Sequence, residues 1–390
     1  MKIPAAKQIA ARIKRFNFQK IRKYEHFDMF AGSAAALAVI VIGSIFLIAT
    51  HAATSTTAVE PELGTKSGNA SIINDSSASG GKYIVFGSQN QTPPPPASNV
   101  SSSNPCPGNA APAKWNHVVV LIFENKGYSD VIGSGQSPYI TSLAAKCGTY
   151  KNWKDADYRV DGTKDRSTDY NSKPNYATYM SGVSPSVSKI TTDDFSTTTG
   201  VDNIFNRLRQ AGISTKSYQP GPAGQCSKDN YNGAYHDAMR YFTDVGGQSS
   251  DPTTFCNQHD VNIGDFMTDV NSGKLPAFSV VYPTNDQNTH DNSISSGDTW
   301  AKNFLTPFFD SDQYKSGDTA LFFVWDEDTP IPNVLAAPSV KPGSSPTIPS
   351  GSYPISHFSA LRTWQEMLGL SPFLGNSGQA PSLLSFYNGK

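Results

Sequence analysis

Three stretches of this sequence are strand-like apolar runs that stop in polar residues. "NHVVVLIFEN" ends in Glu124 and Asn125, "TALFFVWDED" ends in Asp326, Glu327 and Asp328, and "PAFSVVYPTNDQNTHD" passes into a loop carrying His290 and Asp291. Strands buried on both faces of a parallel sheet need apolar side chains at every position, whereas half-exposed strands alternate. Helical patterns lie between them: "SPYITSLAAKCG" with Ser137 as its cap, "DNIFNRLRQAG", "VNIGDFMTDVNSG", "DTWAKNFLTPFFDS" and "HFSALRTWQEMLG". The alternation predicts a doubly wound α/β fold, a mostly parallel central sheet with helices on both faces. In such a sheet ligands bind beyond the carboxyl ends of the strands, so the polar endings should meet at one edge. Asp326 and Glu327 are expected to face a cation there, and Asp328 the solvent.

The amino end has another character. Residues 1–28 hold eight Lys or Arg against Glu25 and Asp28, and "MFAGSAAALAVIVIGSIFLIAT" (residues 29–50) has no charged residue. Its twenty-two residues would rise roughly 33 Å as a helix, enough for a hydrocarbon core of about 30 Å. The segment is predicted to be a transmembrane signal-anchor, with 1–28 a basic cytoplasmic arm and the rest exported; a cleaved signal, giving a secreted protein, is the alternative. Residues 51–113, rich in Ser, Thr, Gly and Pro, read as a linker, in which "KYIVFG" is one strand-like island without an assigned role. Residues 114–390 are then the folded domain.

Cys106, Cys147, Cys226 and Cys256 all follow the apolar segment. An even count in an exported domain favours two disulfides over zinc ligation. Three pairings are open, pairing of sequence neighbours being the simplest. The formal net charge is −1, and the basic residues at the amino end leave the remainder acidic. That balance argues against nucleic acid as a partner. "NVLAAPSVKPGSSPTIPSGSYP" (333–354) reads as a loop over the active edge.

"DYNSKPNYATYMSG" places Ser172 two residues before Pro174, hence near the start of a helix, where free amides and the helix dipole favour an anion. Glu-Asn after a first strand, Ser-x-Pro-Asn-Tyr, His-Asp, Trp-Asp-Glu and "SHFSALRTWQEMLGL" follow one another over roughly 115–372. This ordered set resembles the bacterial phosphoesterase family of acid phosphatases, phosphatidylinositol-3-phosphatases and phospholipases C, in the alkaline phosphatase superfamily. The resemblance implies an alkaline phosphatase-like domain in which Glu124, Asn125, Ser172, Asp326, Glu327 and Asp291 hold a divalent cation (Ca²⁺, Mg²⁺, Mn²⁺ or Zn²⁺). It implies that Ser172 is a nucleophile that becomes phosphorylated, that His290 and His357 move protons or contact the phosphoryl group, and that Asn175 and His236 bind substrate.

The implied activity is an extracytoplasmic phosphatase acting on a phosphorylated small molecule or a lipid headgroup such as a phosphoinositide. The alternatives are a phospholipase C-type phosphodiesterase and a catalytically silent, metal-stabilised binding module. The sequence departs from the family where Tyr170 and Asn171 replace a His-Pro, where "YHDAM" stands for Arg-His-Asn-Pro-Phe, and where "DTPIPN" replaces glycines and an Asp-His. These changes bear on substrate preference and on a second metal.

Overall fold

The unbroken apolar runs become interior strands in the computed structural model, which describes residues 70–74, 82–86 and 99–390 apart from 225, 227–231 and 347. The chain divides into units 1–91 and 92–390. In the first, β1 (Ala70–Asn74) pairs antiparallel with β2 (Lys82–Phe86), so the strand-like island has a partner. The basic arm and the predicted transmembrane segment lie outside the described residues. No described helix is long and apolar enough to cross a membrane.

The second unit is built on a sheet of β3 (His117–Phe123), β4 (Thr215–Gln219), β5 (Asp260–Asn262), β6 (Phe278–Val281), β7 (Thr319–Trp325) and β8 (Asn333–Ala336), in the order β5-β4-β6-β3-β7-β8. The first five strands of that order run parallel, and β8 closes one side antiparallel to β7. All seven residues of β7 are buried, as expected of a strand covered twice. Its side chains alternate between two helical layers. Phe322 meets Trp364 of one helix, while Phe323 and Trp325 pack on Phe123, which touches Trp300 of another.

Among the described residues those layers come from five helices of eight or more residues: α1 (Pro138–Lys146), α2 (Ser172–Ser181), α3 (Ile204–Ala211), α4 (Ile294–Asp310) and α5 (His357–Leu368). Helix α5 packs on α2 and β3, and α4 packs on α1. The predicted doubly wound, mostly parallel α/β architecture is what the chain adopts. Every residue of α2 is buried, so no amphipathic stripe marks it in the sequence. The helix ends at Gly182, which takes a left-handed φ of 69°, and a Cβ there would come within 2.5 Å of the Leu374 carbonyl oxygen.

Four expectations change. The compact unit starts at 92 rather than 114, because the last part of the predicted linker is sewn into it. Val100 and Cys106 are buried, Asn109 N–H donates to Pro338 O at 2.8 Å, and Ala111 N–H donates to Asn388 O at 2.8 Å. The stretch from 333 begins with β8 instead of a loop; its Pro and Gly residues lie further on. In "VNIGDFMTDVNSG" the first two residues belong to β5, and the α-helix is only Phe266–Asn271. Ser137 holds the N-cap position of α1, but its hydroxyl bonds the Val131 carbonyl instead of a helix amide; Asp298 of α4 reaches across to accept from the Tyr139 and Ile140 amides. The disulfides join sequence neighbours, Cys106 to Cys147 and Cys226 to Cys256.

Candidate active site

The register of two strands assembles the carboxylates. Strands β3 and β7 pair Phe123 with Trp325, so Glu124 and Asp326 leave adjacent strands at the same level, about 4.8 Å being the usual strand spacing. Asp326 N–H donates to Phe123 O at 3.1 Å. Asn125 turns with a left-handed φ of 54°, and its own N–H donates to Asp326 Oδ1 at 3.1 Å.

The loop after β6 is stitched to the same edge. Glu124 N–H donates to Asn288 O at 2.8 Å, and Thr289 Oγ1–H donates to Glu124 O at 2.6 Å. Thr289 holds a φ of 73°, a conformation that costs a β-branched residue on the order of 1–3 kcal/mol. Gly297 of α4 makes room for it, since a Cβ there would lie 2.4 Å from Thr289 Cγ2.

Helix α2 completes the constellation. Ser172 is its first residue and Tyr176 lies one turn on, so both face the same way. Ser172 Oγ–H donates to Glu124 Oε2 at 2.9 Å, and Tyr176 O–H donates to Glu124 Oε1. His236 is buried with its ring stacked on Tyr176, centroids 5.4 Å apart. Its Nδ1 lies 3.4 Å from Glu124 Oε1 yet makes no hydrogen bond. Burial, with His290 nearby, holds this imidazole far below its usual pKa, so the contact is one of a neutral ring and not an ion pair.

Three carboxyl groups thus share a dry corner. Burial first, and Asp326 next, push the Glu124 carboxyl well above its usual range; burial raises Asp326, and burial plus the charges of Asp326 and Asp328 raise Glu327. Three buried oxygens there have no hydrogen-bond partner: Asn125 Oδ1, Asp326 Oδ2 and Glu327 Oε2. Among the described residues no three His, Cys, Asp or Glu side chains form a metal-ligating group. The donor set is instead mixed, with carboxylates beside a serine hydroxyl and an asparagine amide. Unpartnered oxygens and mutually repelling carboxylates are what a hard divalent cation would satisfy.

Other candidates are placed differently. Asp291 is exposed and paired with its neighbour, His290 Nδ1 to Asp291 Oδ1 at 2.6 Å, because its N–H folds back to Asn285 O. It stands apart from the expected metal shell. His290 is part-exposed, its ring 5.7 Å from that of His236. His357 is fully buried against Tyr179, and its Nε2 lies 2.7 Å from Asp326 O and 3.1 Å from Asn175 Oδ1. Burial pushes it down to about 3. Its ring nitrogen holds the Asp326 backbone carbonyl in place. Asn175 is equally committed, its Oδ1 accepting from Ala156 N–H at 2.7 Å and its Nδ2 donating to Asn171 O at 2.9 Å. Asp328 is exposed, as expected.

Tyr176, Lys173 and Asp193 were not foreseen. Helical spacing from Ser172 could have found Tyr176. Lys173 is buried, with Nζ donating to the carbonyls of Asp194 and Thr197, and its backbone N–H donates to Asp193 Oδ1 at 2.9 Å. No local pattern announces that contact, which spans 20 residues.

The Phosphoesterase family model matches residues 166–357, a window that contains Ser172, Asp326 and Glu327. The chain is 28% identical over 280 residues to the phosphatidylinositol-3-phosphatase of Mycobacterium tuberculosis, covering 70% of this chain and 82% of that one. It is also 28% identical over 166 residues to a probable acid phosphatase of Kluyveromyces lactis, covering 40% of this chain and 38% of the other. A solved alkaline phosphatase superfamily protein from Vibrio parahaemolyticus superposes with a TM-score of 0.44 at 15% identity, over 73% of this chain and 74% of that one, a likeness too loose to argue from. These similarities support a hydrolase acting on phosphoric ester bonds.

Proposed function

We propose that the protein is a membrane-tethered, extracytoplasmic, metal-dependent phosphatase that hydrolyses phosphomonoesters through a phosphoserine. The observation that carries this reading is the Ser172 hydroxyl, 2.9 Å from the Glu124 carboxylate at the start of a buried helix, with Asp326 hydrogen-bonded to the adjoining Asn125 amide. Ser172 Oγ passes its proton to Glu124 Oε2 and attacks phosphorus as the bond to the ester oxygen breaks. His290, part-exposed at the rim, supplies the proton that the leaving oxygen takes. Water then attacks the phosphoserine and its proton passes to His290; the P–Oγ bond breaks, Ser172 Oγ takes its proton back from Glu124, and inorganic phosphate is released.

Glu124, Asn125, Ser172, Asp326 and Glu327 are the residues that would hold the divalent cation. Bound there, it would lower the pKa of the serine hydroxyl and offset charge on the phosphoryl oxygens. Tyr176 and His357 do not react. They fix Glu124 and the Asp326 backbone through the contacts above, so that the oxygens keep their places.

A phosphorylated lipid headgroup is the proposed substrate class. The name of the mycobacterial relative supports it, and so does an uncharged run at 29–50 that would keep the domain at a bilayer. Full-length protein in detergent, assayed on a chromogenic phosphomonoester and on the matching diester, tests the reading. Monoester hydrolysis abolished by chelation and by Ser172→Ala is expected. Hydrolysis of the diester alone would assign the phospholipase C-type reaction, and turnover retained by Ser172→Ala would remove the serine from the chemistry.

A further inference from the structure

The amino end of α2 already holds an anion. The first amide beyond Ser172, Lys173 N–H, belongs to the Ser172–Lys173 peptide, and it donates to Asp193 Oδ1 at 2.9 Å. Asn171, in the capping position, offers no side-chain bond, so Asp193 takes the place a capping side chain would fill, from 20 residues away. An oxygen of a phosphoryl group on Ser172 would seek the same amide.

The carboxylate is held there by design of the loop. Lys173 sends its ammonium back under the segment that carries Asp193, donating to the Asp194 and Thr197 carbonyls, and lies 5.7 Å from the centre of the Phe195 ring and 4.9 Å from that of Tyr241. Backbone and side chain of one residue thus clasp both ends of residues 193–197. Gln248 Nε2 fixes the same segment through Phe195 O at 2.9 Å. Asp193 also lies within electrostatic reach of Glu327 and His290, which places its charge inside the site.

We propose that Asp193 is a resident competitor for phosphate: its carboxylate occupies the Ser172–Lys173 amide and weakens the site's hold on the inorganic phosphate that hydrolysis produces. The proposal rests on Ser172 being the phosphorylated residue. A site of helix amides and a cation would otherwise bind its dianionic product tightly, and a fixed carboxylate on the amide lowers that affinity by occupancy and by like charge. Asp193 acts on release of product and does not react.

Asp193→Asn keeps the shape and an acceptor for the amide while removing the charge; Asp193→Ala removes both. Inorganic phosphate binding to the full-length, metal-supplemented wild type and both variants is measured by titration calorimetry, and its inhibition constant from monoester turnover. Affinity for phosphate about fivefold to tenfold tighter in Asp193→Asn, and at least as tight in Asp193→Ala, is expected from the strength of charge effects at helix ends. A structural role alone would not tighten binding. Phosphate affinity that is unchanged or weaker in both variants overturns the proposal, as does absence of binding in all three proteins; either variant suffices if the other does not fold. Calorimetry needs no turnover, so an inactive wild type that binds phosphate counts against the serine reaction and leaves the Asp193 comparison standing.

Discussion

Ser172 and Glu124 are 48 residues apart in sequence, and the hydroxyl of one donates to the carboxylate of the other at 2.9 Å. The helix start and the strand end that bring them together belong to different layers, so the contact exists only when the sheet and α2 are both in place. Ser172→Ala should therefore abolish turnover, with a fall in kcat of more than about a thousandfold, while the melting temperature stays close to that of the wild type. Parallel steady-state and thermal measurements check this. A drop in activity matched by loss of fold would give the serine a structural role only.

The buried carboxylates oppose one another. Burial raises the Glu124, Asp326 and Glu327 carboxyls, and the neighbouring charge of Asp326 adds to the rise at Glu124 and Glu327, so their contribution to stability is greatest at low pH and declines as pH rises through the raised values. Asp326→Asn should make the metal-free protein more heat-stable than wild type at neutral and alkaline pH. It should also lose the rise in melting temperature that Mg²⁺, Ca²⁺ or Mn²⁺ gives the wild type. Scanning calorimetry with and without cation decides; an equal cation shift in both proteins would take Asp326 out of the metal site.

His357 is pushed down to about 3 by burial, against the effect of its bond to Asp326 O. Its imidazole should show no titration between about pH 5 and pH 8, the range in which an ordinary histidine changes charge. His357→Ala should cost about 1–3 kcal/mol of stability by leaving buried acceptors unpaired. Proton NMR of the ring through that range is the test, and a midpoint near neutrality would restore His357 as a proton donor.

Burial pushes Asp165 up, but bonds from Arg159, Ser186 and Tyr170 outweigh it and hold the carboxyl at about 2. A depressed carboxyl stabilises above its unfolded pKa of about 3.9, and that contribution fades as pH falls toward 2. Asp165→Asn should flatten the stability curve between those limits. Denaturant midpoints measured across the acid range in both proteins provide the comparison; curves of equal slope would contradict the assignment.

The Cys106–Cys147 bridge closes a loop with a sequence separation of 41. Chain entropy gives such a loop about 4 kcal/mol at most, and less where strain intervenes. The double change Cys106→Ala, Cys147→Ala should lower the denaturant midpoint accordingly and loosen residues 99–113. Hydrogen exchange of the Asn109 and Ala111 amides reports on the second effect, and unaltered protection there would show that packing alone holds the segment.

The strands were legible because burial on two faces demands apolar residues, and "ALFFVW" (320–325) and "VVVLIF" (118–123) are unbroken up to their acids. Helix α3 was equally plain, with Asn203 capping it and Gly212 ending it. The polar endings marked the edge where Glu124 and Asp326 stand, since parallel strands in register deliver their next residues side by side. At Asp291 and Asn175 residue type says nothing about where a side chain spends its hydrogen bonds. One turned to its neighbour His290, and the other was consumed by Ala156, Asn171 and His357.

Local sequence thus determined which segments are strands, which cysteines could pair and which side chains could act on phosphorus, because propensity and periodicity are properties of neighbouring residues. Only the tertiary structure decided that Asp193 sits on the amide after Ser172, that Tyr176 holds Glu124 and that His357 is walled in behind Asp326. Those are contacts between residues 20 to 52 positions apart, set by how layers pack and not by local sequence.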